Sequence, residues 1–248
     1  MRCLLLIGIG TGNPEHMTIQ GIKALNAADL VLIHRKGAEK EELADIRREI
    51  CTRFLTNPTT QLLEFDLPVR DAANPAYRRG VAEWHDAIAE TYRALLTSHP
   101  GETAALLVWG DPSLYDSTLR IADRLRDIAE PEVIPGITSV QALAASHRMA
   151  LNTIGNAVQI TTGRQLRRGF PEGVDTAVIM LDGECSFQTL PGEDYDIFWG
   201  AYLGTPDEVV LSGRLTEMSA IIIDTRARLR ARIGWIMDIY LLRKRYSA

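Results

Sequence analysis

The sequence predicts an α/β protein in two lobes: an N-terminal, mostly parallel sheet with helices and a C-terminal mixed sheet with helices. Three observations carry this expectation. In the first half, short apolar runs, the first and third of them halted by glycines, alternate with helical stretches, which implies parallel pairing through helical crossovers. In the second half the strand-like runs lie closer together with fewer long helices between them, which suits a mixed sheet. The 248 residues are long for one core and comfortable for two lobes. The lobe boundary is expected near Tyr115, giving lobes 1–115 and 116–248.

The elements follow in order. Cys3–Ile9 is a continuous apolar run ending at glycines, a first buried strand. Thr18–Ala28 has helical spacing with Thr18 as its N-cap. Leu30–Ile33 is a second strand, Glu39–Phe54 a charged surface helix and Tyr77–Thr97 a long amphipathic one. Ala104–Trp109 is a third buried run, and Ser117–Ala129 reads as helix. Beyond it, Gln159–Thr162, Ala177–Leu181, Phe198–Tyr202, Glu208–Leu211 and Ala220–Ile223 read as strands, and Ala231–Arg245 as a terminal amphipathic helix.

Composition excludes some classes. Apolar residues make up 46% and charged residues 24%, ordinary for a soluble protein. No run of about 18 apolar residues exists, so no membrane span is expected. The opening MRCLLLIGIG runs into a glycine loop with no small-residue cleavage site, so it reads as a strand rather than a signal peptide, and a cytoplasmic location is expected. A net charge of −5 argues against nucleic acid as a partner but still admits an anionic small molecule. The three cysteines fit no zinc or disulfide spacing and read as buried apolar thiols.

Three segments carry chemistry. Gly8-Ile9-Gly10-Thr11-Gly12-Asn13-Pro14 follows a strand and allows a ligand close to the backbone. Its spacing is GxGxG rather than GxGxxG. Arg35, near the end of the second strand, would suit a 2′-phosphate, so this loop alone leaves open an NADP-dependent oxidoreductase or an ordinary turn. Gly110-Asp111-Pro112 is a turn at a strand's carboxyl end, and its carboxylate suits a ligand ammonium or hydroxyl. Pro135-Gly136-Ile137-Thr138-Ser139 leads into a helix whose first N–H groups lack partners.

In this order and spacing the three segments resemble the tetrapyrrole methylase family. The likeness continues through Met180-Leu181, Leu203-Gly204-Thr205 and Ala220-Ile221-Ile222-Ile223. Lys36–Ile50 and Trp199–Glu208 are most similar to a cobalamin-pathway member that removes an acetyl group as it methylates. The resemblance implies S-adenosylmethionine as methyl donor, S-adenosylhomocysteine as product, a precorrin-type tetrapyrrole as substrate and a homodimer. A family member acting on a different ring carbon is the alternative. The positions matching the family's cofactor contacts, in a cleft between lobes, are Pro14, Gly110, Asp111, Leu114, Thr138, Ser139, Met180, Leu181, Tyr202, Gly204, Thr205 and Ala220. There are two departures. Gly10-Thr11-Gly12 stands where Gly-Pro-Gly is common, and His34 stands where many members carry aspartate.

The implied reaction removes acetyl with water and methylates the ring carbon that carried it. Methyl transfer from a sulfonium needs alignment and no metal. Deacetylation needs a base and a donor for the developing oxyanion. His34 is the first candidate base, because imidazole titrates near working pH. Lys36 is a candidate oxyanion or carboxylate donor, and Tyr115 and Asp182 are expected to face substrate. The substrate's carboxylates call for arginines. Arg164, Arg167 and Arg168 form the best cluster, with Arg35 as a first-lobe counterpart.

Overall fold

The apolar run after Arg2 becomes β1 (Arg2–Gly8), the fourth strand of a five-stranded sheet. This computed structural model describes residues 1–35, 41–69 and 77–245. The sheet also holds β2 (Leu30–Arg35), β3 (Gln61–Asp66), β4 (Thr103–Val108) and β5 (Ala129–Ile134), in the order β3-β2-β4-β1-β5 with every pairing parallel.

Successive residues point to opposite faces, and both faces are covered. Leu4, Leu6, Leu30, Leu32 and Leu106 pack with Ile88 and Tyr92 of α3 (Tyr77–Ser98) and Ile121 of α4 (Thr118–Ala122). Leu5, Ile7, Val31, Ile33 and Leu107 pack with Leu25 of α1 (Ile19–Ala27) and with Ile50 and Cys51 of α2 (Glu41–Phe54). Thr18 caps α1 as expected, its hydroxyl accepting the Gly21 N–H at 2.9 Å.

The chain divides into compact units Met1–Thr138 and Ser139–Ala248. The division falls later than the expected 115/116 because β5 hydrogen-bonds along β1 and so completes the first sheet. The helix expected over Ser117–Ala129 is shorter: α4 runs into a 3-10 turn at Asp123–Leu125, and Ala129 already begins β5.

The second unit opens with α5 (Ser139–Ser146). Its sheet is mixed, in the order β6-β7-β10-β8-β9. The strands are β6 (Val158–Thr162), β7 (Thr176–Met180), β8 (Tyr195–Ala201), β9 (Val209–Arg214) and β10 (Asp238–Lys244). Only β6 and β7 pair in parallel. Two expectations are corrected here. Ala220–Ile223 is not a strand but part of α7 (Leu215–Ile233), whose Leu215, Ile222 and Leu229 recur every seven residues on the buried side. Ala231–Arg245 is not a helix. α7 stops at Gly234 with φ of 90°, and the apolar run Ile239–Leu242 becomes the central strand β10.

Candidate active site

The sheet order places β2, β4, β1 and β5 side by side, so the loops singled out from sequence share one carboxyl edge, where α/β sheets bind ligands. Gly10 and Gly110 form a two-way backbone bridge, Gly110 N–H to Gly10 carbonyl at 2.7 Å and Gly10 N–H to Gly110 carbonyl at 3.2 Å. Gly136 lies so close that a Cβ there would stand 2.2 Å from the Gly110 carbonyl oxygen. Gly110 itself has φ of 68° and open space around the position of a Cβ.

Asp111 locks this arrangement. It is 9% exposed. Its Oδ2 accepts the Gly136 N–H at 2.8 Å and its Oδ1 the Ser113 N–H at 2.8 Å. The carboxylate expected to greet a ligand therefore holds two loops together. Pro14 is buried and opens a short 3-10 turn capped by the Asn13 side chain. Leu114 donates its N–H back to the Asp111 carbonyl at 3.3 Å.

Two candidate catalytic residues meet in this unit. His34, at the end of β2, and Tyr115, after β4, line one cavity of about 220 Å³. Tyr115 is held at φ of 50°, a left-handed conformation that costs a non-glycine residue roughly 1 kcal/mol or more. His34 stands edge-on to Phe65 with ring centroids 6.4 Å apart. The cavity also contains Arg47, Tyr92 and Asp116, which were not singled out. The helical spacing of Ala44, Arg47 and Cys51 puts Arg47 on the buried side of α2, and that period was the available signal. Arg35 pairs with Asp66 at 2.9 Å, on the neighbouring strand β3. Lys36 lies outside the described residues. A larger recess of about 540 Å³ opens at the opposite, amino-terminal edge beside Arg2 and Thr103 and carries none of the expected residues.

In the second unit, β10 runs antiparallel to both β7 and β8, so those two strands point the same way. Leu181 follows β7 and Tyr202 follows β8, at one edge, and both are left-handed, with φ of 53° and 49°. Met180 ends β7, half-buried. Leu181 is 68% exposed, an apolar side chain held out in a strained conformation. Tyr202 is buried, donates its hydroxyl to the Trp235 carbonyl and stands edge-on to the Trp235 ring. Gly204 and Thr205 close a tight turn, the Thr205 hydroxyl bonding the Tyr202 carbonyl at 2.8 Å and the Gly204 N–H donating to Glu208 at 2.6 Å. Ala220 is exposed on the second turn of α7, and Ser139 opens α5 directly after Thr138.

Asp182 is a correction. Rather than facing substrate it is buried, and its carboxylate accepts four donors: Glu184 N–H at 3.1 Å, Ser186 N–H at 2.6 Å, Ser186 hydroxyl at 2.8 Å and Tyr240 hydroxyl at 2.6 Å. Burial and the adjacent Asp182 push the Tyr240 phenol pKa far up, so it remains a donor. Asp182 thus shapes the turn after Leu181. Arg164, Arg167 and Arg168 are all exposed on and after the short α6 (Gly163–Leu166), with Arg167 pairing with Glu184 of the same turn.

The family of tetrapyrrole (corrin/porphyrin) methylases matches residues 4–219. A precorrin-6A synthase [deacetylating] of Sinorhizobium sp. is 55% identical over 98% of this chain and 96% of its own. A solved structure described as a cobalamin synthesis related protein (CobF), from Corynebacterium diphtheriae, superposes with a TM-score of 0.85 at 37% identity, covering 98% of this chain and 99% of that one. A Thermus thermophilus uroporphyrin-III C-methyltransferase, solved with S-adenosylhomocysteine, shares the fold at a TM-score of 0.61 and 18% identity, covering 97% of this chain and 96% of that one.

Proposed function

The chain belongs to the tetrapyrrole methylase family, and from that premise we propose that it converts precorrin-5 to precorrin-6A, releasing acetate and transferring a methyl group from S-adenosylmethionine. The observation that carries this reading is the 55% identity to a deacetylating precorrin-6A synthase over nearly the whole of both chains.

S-adenosylmethionine supplies an electrophilic methyl group on sulfur. The residues present suit such a molecule. Gly110 leaves the main chain open to close approach, and the exposed Leu181 offers an apolar face of the kind that suits adenine. The proposed contacts are Pro14, Gly110, Asp111, Leu114 and Thr138 in the first unit and Ser139, Met180, Leu181, Tyr202, Gly204, Thr205 and Ala220 in the second. Asp111 and Tyr202 act through the backbone they fix, since their side chains are engaged internally. His34 is the proposed base for deacetylation. Arg35, Arg164, Arg167 and Arg168 are the proposed partners of the substrate carboxylates.

Among the described residues no helix is long and apolar enough to cross a membrane. A cytoplasmic homodimer completes the proposal, and light scattering on the purified protein checks the dimer. The reaction is tested by supplying precorrin-5 and S-adenosylmethionine and quantifying S-adenosylhomocysteine, acetate and product mass. Equal yields of all three are expected. Methylation without acetate would assign the chain to a different ring carbon. Binding of NADP in place of S-adenosylhomocysteine would overturn the reading.

A further inference from the structure

The cavity of the first unit holds about 220 Å³. Pockets that bury a drug-sized ligand run to roughly 300–1,000 Å³. This cavity is too small for a macrocycle and right for one substituent. Its wall has two characters. Trp84, Ile88 and Ile121 supply apolar surface, whereas Arg47, Tyr92 and His34 bring a guanidinium, a phenol and an imidazole beside the carboxylate of Asp116.

Arg47 is 3% exposed, and its Nε donates to the Leu107 carbonyl at 2.9 Å, which ties it to the carboxyl end of β4. Placing a charge this deep is costly. Burial draws its pKa down to about 10, against the opposing pull of Tyr92 and Asp116, so the guanidinium stays charged at neutral pH. Burial raises the Tyr92 pKa, which keeps its hydroxyl protonated. A small space that is apolar on one side and polar on the other, with the Arg47 guanidinium balanced by the Asp116 carboxylate, matches an uncharged two-carbon acyl group.

Resting on the precorrin reading above, we infer that this cavity is the subsite for the acetyl group that the substrate loses, with Arg47 and Tyr92 receiving its oxygen. The methyl group packs on the apolar wall. Water adds to the acetyl carbonyl carbon while its proton passes to the His34 imidazole. The carbonyl oxygen becomes an oxyanion facing Arg47 and Tyr92. The bond to the ring carbon then breaks, its electron pair stays on the macrocycle as the nucleophile for methylation, and acetate departs with the oxygen from water.

The test reads acetate separately from cofactor binding. Precorrin-5 and S-adenosylmethionine are given to the wild type, Arg47→Gln and Ile88→Phe, and S-adenosylhomocysteine affinity is measured on each by calorimetry. Both variants should bind S-adenosylhomocysteine within about twofold of wild type and release acetate roughly 100-fold more slowly. Carbon-13-labelled acetate titrated into the wild type should show saturable line broadening that both variants lose. Near-normal acetate release by a variant that binds S-adenosylhomocysteine normally overturns the subsite. If Arg47→Gln does not fold, Ile88→Phe, which fills the cavity without touching a charge, decides in the same way. If neither folds, lack of saturable acetate binding by the wild type overturns it. A wild type that releases no acetate from precorrin-5 sinks the parent reading itself, whereas normal wild-type turnover with unaffected variants sinks the subsite alone.

Discussion

The Asp111 carboxylate accepts the backbone N–H of Gly136 at 2.8 Å, joining the loop after β4 to the turn after β5. With Ser113 held by the other oxygen, one side chain organises the carboxyl edge of the first sheet. Burial works to raise the Asp111 pKa, but the Ser113 hydroxyl, the Gly136 N–H and the Ser113 N–H outweigh it and hold it below the usual value. A depressed folded pKa contributes stability above the unfolded pKa of about 3.9, and that contribution is lost as pH falls through the folded value. Asp111→Asn should therefore melt below the wild type at pH 7, and the gap should narrow as pH drops under about 4. A gap that stays constant in a thermal melt series would assign the loss to geometry rather than charge.

Gly136→Ala should destabilise the first unit by about 1–3 kcal/mol, because its Cβ would meet the Gly110 carbonyl oxygen and the Gly8 backbone. Gly110→Ala meets no atom, but its φ of 68° costs about 1–2 kcal/mol. Both should weaken S-adenosylhomocysteine binding in calorimetry. Normal melting of Gly136→Ala would show that the two loops separate freely.

Leu181→Gly should leave stability unchanged or raise it by up to about 1 kcal/mol, since relief of the left-handed backbone offsets the added chain entropy. The same change should weaken S-adenosylhomocysteine binding about tenfold through the lost apolar contact. Urea denaturation beside calorimetry separates the two effects. Undiminished affinity would remove Leu181 from the cofactor site.

His34→Ala should slow acetate release by about 100-fold or more while S-adenosylmethionine affinity holds. Unchanged acetate release would take His34 out of the chemistry.

Neutralising Arg164, Arg167 and Arg168 together should raise the substrate KM roughly tenfold and leave cofactor affinity intact. Arg167→Gln should have a smaller effect than Arg168→Gln, because Glu184 already competes for the Arg167 guanidinium. An unaltered KM in the triple variant would place the substrate carboxylates elsewhere.

The inner strands of the first sheet were legible because parallel strands buried on both faces leave continuous apolar runs, and those of β1 and β4 lead into glycines. β3 left no such mark: its Leu62 is exposed, and only Phe65 of the strand is buried, so an edge strand looks polar. Ala220–Ile223 misled in the opposite sense. Three consecutive isoleucines favour a strand locally, but the seven-residue recurrence of buried positions across nineteen residues makes a helix. At the site, the glycine turns were readable from local conformation. The roles of Asp111 and Asp182 were not, because their partners Gly136 and Tyr240 lie 25 and 58 residues away in sequence. Arg47 was hidden by its charge, which reads as surface until its helical phase is considered.

The centre of the second sheet is occupied by β10, which follows its four companion strands in the chain. During synthesis the N-terminal parts emerge first. β7 and β8 must therefore wait with their inner edges unpaired until the chain has been made past Lys244. A ribosome that stalls before Asp238, or a protease that clips there, leaves two separate hairpin-sized pairs, β6 with β7 and β8 with β9, each offering an open edge. Until β10 is inserted, the facing edges of β7 and β8 are open to pairing with other chains, so the last described strand is the one that closes this sheet against edge-to-edge aggregation.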